Sequence, residues 1–388
     1  MEFRIDTDYI MRTLTELVRI NSVNPSLSSD GRGEAAIAAL VADRLIELGL
    51  ETHSYDLGSG RANVVGTLPG TGNGRALLLN AHLDTVDVRG MSGDPFGASI
   101  RQGRLFGRGS QDMKSGLAAM LGAAKALVNA GVSLAGDLLI TAVADEEFAS
   151  IGAEHLVKQV RADAAIVTEP TNLTVARAHR GFIWYDVETF GRAAHGSRFQ
   201  EGVDANMRMG RFLARLERLE RDLRQRPGHP LAGPPTLHAA IVQGGTEISV
   251  YAANCRLQLE RRTIPGETQT QATAELQAII DELAVEDPTF QATVNPTFRR
   301  NPFENSEDSP IVKTVSRAVT NVLGQPAAHT GQTFWTDAAI LADAGMDTVL
   351  LGPVGAGLHS VEEWVELQSV FDLAQILAQT AYDYCNGA

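Results

Sequence analysis

Cysteine is almost missing from the chain: 388 residues carry two, Cys255 and Cys385. One sits in a strand-like run and the other among the final residues, which excludes a disulfide framework and points to free thiols in a reducing compartment. Neither adjoins a histidine in sequence, so nothing supports a cysteine nucleophile. Long apolar runs are absent too. No segment is long enough to span a bilayer. The first helix-like stretch, residues 9–20, is interrupted by Arg12, Glu16 and Arg19 and lacks the small-residue pattern of a signal peptide. Positive charge is scarce: 33 Lys and Arg face 47 Asp and Glu, a formal net charge of -14. That excess repels nucleic acid and anionic membrane, excluding both as partners. A cytoplasmic protein is expected, and a bound dication would offset part of its charge locally.

What remains is ordinary globular composition, 44% hydrophobic and 21% charged, in a chain long enough for about two domains. The pattern changes twice. Residues 1–180 read as α/β, with helices at 9–20 and 34–48 and buried strands at 63–68, 77–85, 137–143 and 164–168. The glycine-rich 69–74 stretch joins strand to strand, so it reads as a flexible hairpin rather than a phosphate-cradling loop. Residues 181–296 alternate as strands at 182–190, 236–242, 254–262 and 289–294 around helices at 205–226 and 268–283. Residues 297–388 return to the first pattern, with helices at 311–323 and 337–344 and a strand at 348–351. The expected fold is an α/β mixed-sheet catalytic domain split by an inserted α+β domain.

The chemistry-bearing residues stand where apolar runs stop. The run Leu77-Leu78-Leu79-Asn80-Ala81 ends in His82-Leu83-Asp84, and in open α/β sheets ligands gather at strand ends. Residues two apart share a strand face, which suits a metal-bound histidine whose second ring nitrogen donates to a carboxylate. Taken alone, so short a motif fits a hydrogen-bonded pair with no metal better. Asp112 precedes a helix and reads equally as its N-cap. Asp145-Glu146-Glu147 closes the next buried strand, where three adjacent acids repel one another unless something positive sits there; the alternative is a solvated cluster opening a helix. Glu169-Pro170 ends another strand, and His359 follows a glycine-rich loop. Two histidines with three carboxylates suit two zinc-like ions, with one carboxylate bridging and a spare acid serving as base.

As a set these residues resemble the dinuclear metal aminoacylase and carboxypeptidase family. The resemblance rests on Asn80-Ala81-His82-Leu83-Asp84-Thr85, the Gly107-Arg108-Gly109-Ser110-Gln111-Asp112-Met113-Lys114 segment, Ala144-Asp145-Glu146-Glu147, Glu169-Pro170-Thr171, His195-Gly196-Ser197 and His359-Ser360-Val361-Glu362-Glu363. It covers nearly the whole chain and looks nearest to acetylornithine deacetylase-like members. The resemblance implies that His82 and Glu169 hold one divalent ion, Glu147 and His359 hold the other, and Asp112 bridges them. Zinc is the first expectation, with cobalt or manganese also compatible. Asp84 would orient His82, and Glu146 would be the general base. The inserted domain would be a lid and the homodimer interface, with His195 reaching the substrate carbonyl, commonly in the partner subunit's site. Arg262 matches an arginine associated with the substrate carboxylate.

Two positions depart from the family pattern. Ser249 stands where an asparagine is usual, shortening any contact with substrate, and Thr333-Phe334-Trp335-Thr336-Asp337 replaces a glycine-rich segment, which alters the pocket. The implied activity is hydrolysis of the amide of an N-acyl amino acid. The rivals are a dipeptidase, carboxypeptidase or desuccinylase using the same site and, more remotely, a catalytically silent binding protein. His53, His155, His179, His229, His238 and His329 lack a carboxylate at ligand spacing and read as surface or structural.

Overall fold

The computed structural model describes residues 3–387. The chain divides into two compact units. The larger takes the chain up to Arg177, Asn305–Thr330 and everything from Thr336 on; the smaller takes Ala178–Glu304 and Gly331–Trp335. Against expected changes after 180 and 296, the transitions therefore fall after 177 and 304. The later second transition has a simple cause: the last strand of the smaller unit is Ala292–Arg300, whose whole length pairs with Gly181–Phe190.

In the larger unit the strand order is Glu51–Gly58, Arg61–Leu68, Leu138–Val143, Leu77–His82, Ala164–Val167, Asp347–Leu350 and Val175–His179, the last leaving the unit after Arg177. The four from Leu138–Val143 to Asp347–Leu350 are mutually parallel. All six positions of both Leu77–His82 and Leu138–Val143 are buried, as strands covered on both faces require. Right-handed crossovers explain the covering. The Lys114–Asn129 helix leads one way across the sheet and Ile151–Gln159 leads the other, so they lie on opposite faces. Parallel strands share a carboxyl edge, so the loops leaving neighbouring strands meet there. The sheet is mixed, in keeping with the expected class.

The 69–74 turn is not a hairpin. The strands it joins are not neighbours, because Leu138–Val143 lies between them. Nor is the turn loose: the Thr71, Asn73 and Gly74 amides donate to the Leu134 and Ala135 carbonyls at 2.9–3.0 Å. Gly74 fits where any side chain would strike the Cys385 carbonyl, 2.0 Å from a Cβ there. The Leu367–Cys385 helix, absent from the expected elements, packs on Lys114–Asn129 and fills the core with Leu373, Ile376 and Leu377. A small antiparallel sheet of Gly355–Ala356, Trp364–Glu366, Arg104–Phe106 and Ser99–Arg101 ties together the segments that carry His359 and Asp112.

The smaller unit is an antiparallel sheet in the order Thr236–Gly244, Asn254–Thr263, Gly181–Phe190, Ala292–Arg300. Period-2 alternation gives it one apolar face, Ile183, Tyr185, Val187, Leu257 and Leu259. That face is buried against Phe212 and Leu216 of helix Ala205–Gln225 and Leu276 and Leu283 of helix Gln269–Glu286.

Candidate metal centre

His82 is the last residue of its strand and 1% exposed. Its Nδ1 donates to the Asp84 backbone carbonyl at 2.9 Å, whereas the Asp84 carboxylate lies 3.6 Å away. The expected carboxylate partner is thus displaced by a carbonyl, because Asp84 lies past the strand end, where alternation no longer aims its side chain. The consequence for the ring is unchanged. Nδ1 carries the proton, and the Nε2 lone pair faces outward.

Around that Nε2 stand Asp112 Oδ1 at 3.0 Å and Glu169 Oε1 at 3.7 Å. The other Asp112 oxygen, Oδ2, lies 3.3 Å from His359 Nε2, which is 3.0 Å from Glu147 Oε2. Two triads result, His82/Asp112/Glu169 and Asp112/Glu147/His359, and in each the ligand atoms lie within 4.8 Å of one another. Two bonds of about 2 Å to a shared ion reach up to about 4 Å, and the four separations above, 3.0–3.7 Å, fall within that reach. Asp112 is not a helix cap: the helix starts at Lys114, its N-cap position is Met113, and no side chain caps it.

The electrostatics explain what such a centre needs. Burial, and next the charge of Glu169, hold Glu146 well above the usual carboxylate range. Burial and Asp112 raise Glu169 well above it and Glu147 also. Hydrogen bonds to Asp112 and Glu147 push His359 up to about 10. For Asp112, burial acts upward but the two flanking histidines outweigh it, and its pKa falls. Crowded carboxylates therefore either take up protons or share a cation, and the donor set of imidazole and carboxylate suits a zinc-like dication. Among the described residues Glu147 Oε1 is buried with no hydrogen-bond partner, as an oxygen reserved for an ion would be. The Glu146 carboxylate makes no hydrogen bond among the described residues, and only its backbone N–H is engaged.

Residues without an assigned role in the sequence reading hold this arrangement. Glu363, 1% exposed, accepts from Arg108 Nη1 at 2.7 Å and from the Gly109, Gln111 and Asp112 amides at 2.9–3.1 Å, which fixes the loop presenting Asp112. Asn24, Arg61, Glu34 and Asp145 form a buried polar group beside Asp84. An arginine opening the mostly apolar strand Arg61–Leu68 is a signal that could have announced it.

The remaining candidates belong to the smaller unit. His195 is exposed, with Nδ1 2.8 Å from Ser197 Oγ. Ser249 is exposed beside it, its carbonyl accepting the Gly196 amide at 2.8 Å. Arg262 donates to Glu260 at 2.6 Å and lies over the Phe182 ring. Of the dismissed histidines, His179 is buried against Phe303 and Trp335, and His329 bonds Ser316 Oγ at 2.9 Å.

Comparison with known proteins agrees with this geometry. The chain is 30% identical to acetylornithine deacetylase of Myxococcus xanthus over 385 residues, 97% of each chain. It is 28% identical to N-formyl-4-amino-5-aminomethyl-2-methylpyrimidine deformylase of Bacillus subtilis, covering 92% of this chain and 90% of that one. In structure it resembles aminopeptidase PepT from Bacillus cereus, with a TM-score of 0.80 at 20% identity over 98% and 99% of the two chains. The profile of Peptidase family M20/M25/M40 matches residues 78–383. The split α/β scaffold, the clustered histidines and carboxylates and this match together make the chain a member of that family of metal-dependent hydrolases.

Proposed function

We propose that this protein hydrolyses the amide bond of an N-acyl amino acid at a centre of two divalent ions, zinc in the first instance. The observation that carries the reading is Asp112, whose two oxygens serve two separate histidine-carboxylate triads. His82 and Glu169 hold one ion and Glu147 and His359 the other. When bound, such ions polarise the amide carbonyl and make water a stronger acid. Glu146, unbonded and beside the ligands, takes the proton of the attacking water. As the C–N bond breaks, it returns that proton to the departing amine.

His195 is assigned the hydrogen bond to the carbonyl oxygen, supported by an exposed ring whose Nε2 has no partner among the described residues. Arg262 is assigned to the substrate's carboxylate, and Ser249 to a shortened substrate contact. The working form is a homodimer joined through the smaller unit. In support of this, strand Thr236–Gly244 is a sheet edge carrying exposed Ile241 and Val242, the kind of edge that proteins pair or cover. Two free, buried cysteines agree with a cytoplasmic location.

The test is to strip the protein with chelator, reload it with zinc or cobalt, and assay N-acetyl, N-formyl and N-succinyl amino acids beside dipeptides. Metal-dependent cleavage of acyl amino acids is expected. Cleavage of dipeptides alone would replace the deacylase reading with a dipeptidase, and full turnover by metal-free protein would sink the mechanism.

A further inference from the structure

Glu146 and Glu147 are adjacent in sequence, and in an extended strand adjacent side chains point to opposite faces. Here both serve one centre, so the backbone beneath them has to depart from the strand. It does so at Asp145, which has φ +71°, a left-handed conformation that persists in a non-glycine residue only where surrounding contacts impose it. The next two amides, Glu146 N–H and Glu147 N–H, then converge on a single carboxylate, that of Asp84, at 3.1 and 3.2 Å.

What fixes the two acids beneath that turn is one asparagine and one arginine. Asn24 Nδ2 donates to Asp84 Oδ2 at 2.7 Å and to Asp145 Oδ1 at 2.9 Å, bridging the two carboxylates. Arg61 Nη1 donates to Asp145 Oδ1 at 2.5 Å and to Glu34 Oε1 at 3.3 Å; its Nη2 donates to Asn24 Oδ1 and Ser26 Oγ, both at 2.8 Å. Asn24, Glu34 and Asp84 are fully buried, Asp145 is 2% exposed and Arg61 6%. A buried carboxylate is costly without a counter-charge, and two, Asp145 and Glu34, share this one guanidinium, with Asp84 joined to Asp145 through Asn24. Such a group is expensive to keep for stability alone, since well-packed apolar residues would serve as well or better.

We propose that Arg61 and Asn24 are positioning residues: through Asp145 and Asp84 they set the turn that aims Glu147 at its ion and Glu146 at the substrate. Neither touches a reacting atom. The inference rests on the ligand and base assignments proposed above. The planar fork of Arg61 meets four partners in fixed directions, which a lysine ammonium does not reproduce.

The test uses the full chain, stripped and then titrated with zinc alone. Arg61→Lys and Asn24→Ser should each weaken one of the two zinc equivalents by about 10- to 100-fold, the range for losing a group that orients a metal ligand. With the N-acyl amino acid that the wild type cleaves best, kcat should fall while KM stays within about twofold, since an interaction that matters only in the transition state shows in kcat. Guanidinium at sub-denaturing concentration should restore zinc affinity to Arg61→Gly, and urea, neutral and of similar shape, should not. Wild-type zinc affinity in either folded variant overturns the assignment. So does an affinity loss that merely tracks the unfolded fraction seen by circular dichroism, with guanidinium and urea acting alike. Zinc affinity is read without substrate, so a wild type that binds zinc but cleaves no acyl amino acid would sink the deacylase reading and leave this one standing.

Discussion

In the larger unit His82, Asp112 and Glu169 are buried and Glu147 nearly so, with His359 exposed among the candidate ligands, whereas in the smaller unit His195 and Ser249 are exposed and Arg262 is half-buried. The difference is one of cost. A buried charge has to be matched by partners, and the larger unit supplies them in pairs such as Arg108 with Glu363 and Arg61 with Asp145. The smaller unit matches its own buried Arg261 with Glu267 at 2.8 Å and Glu275 at 3.3 Å, but its exposed candidate residues need no such provision. Its stability comes from an apolar sheet face packed on two amphipathic helices, and its candidate residues lie outside that core. Substitutions in the buried network that holds the metal centre should therefore disturb fold, metal and turnover together, whereas those at the unbonded Glu146 and in the smaller unit should separate them.

The largest effect should come from Glu363→Ala, which leaves Arg108 buried without its counter-charge and frees three backbone amides. A loss of about 3–5 kcal/mol in denaturant unfolding is expected, together with loss of metal, because the Asp112 loop is no longer held. Glu146→Gln should lower turnover by about 100-fold or more while metal content stays near wild type. Loss of metal in that variant would mean that the roles of Glu146 and Glu147 are exchanged.

His195→Ala should cost about 3 kcal/mol in turnover, the usual result of removing one donor to a developing oxyanion, with the melting temperature and metal content intact. Mixing it with Glu146→Gln subunits sharpens the point. Recovery of activity on subunit exchange means that His195 acts across a dimer, and a mixture no more active than its parents, with exchange verified, rejects that arrangement. The smallest effect should be Thr268→Ala, which removes the capping box of helix Gln269–Glu286. About 1 kcal/mol of stability should be lost with kcat unchanged. A fall in kcat there would break the separation between the units.

The parallel strands were legible because fully buried strands read as unbroken apolar runs, and the candidate ligands stood out because such runs stop at them, whereas the antiparallel Glu51–Gly58 and Val175–His179 went unread. The strand order was not. Nothing in residues 69–74 says that a strand arriving much later in the chain will come between the two they join. The Asp84 carboxylate was assigned to His82 by counting strand alternation one step past the strand's end, and a backbone carbonyl took its place. The Asn24, Arg61 and Glu363 contacts were invisible for a different reason. They join positions up to 255 residues apart, and no local spacing encodes them.

The most direct measurement is a zinc titration of chelator-stripped protein, with turnover followed in the same samples. If Asp112 bridges two sites, the wild type takes up two equivalents and activity returns with them, and Asp112→Ala loses tight binding of both. A single equivalent in the wild type, or full turnover before any zinc is added, would contradict the account.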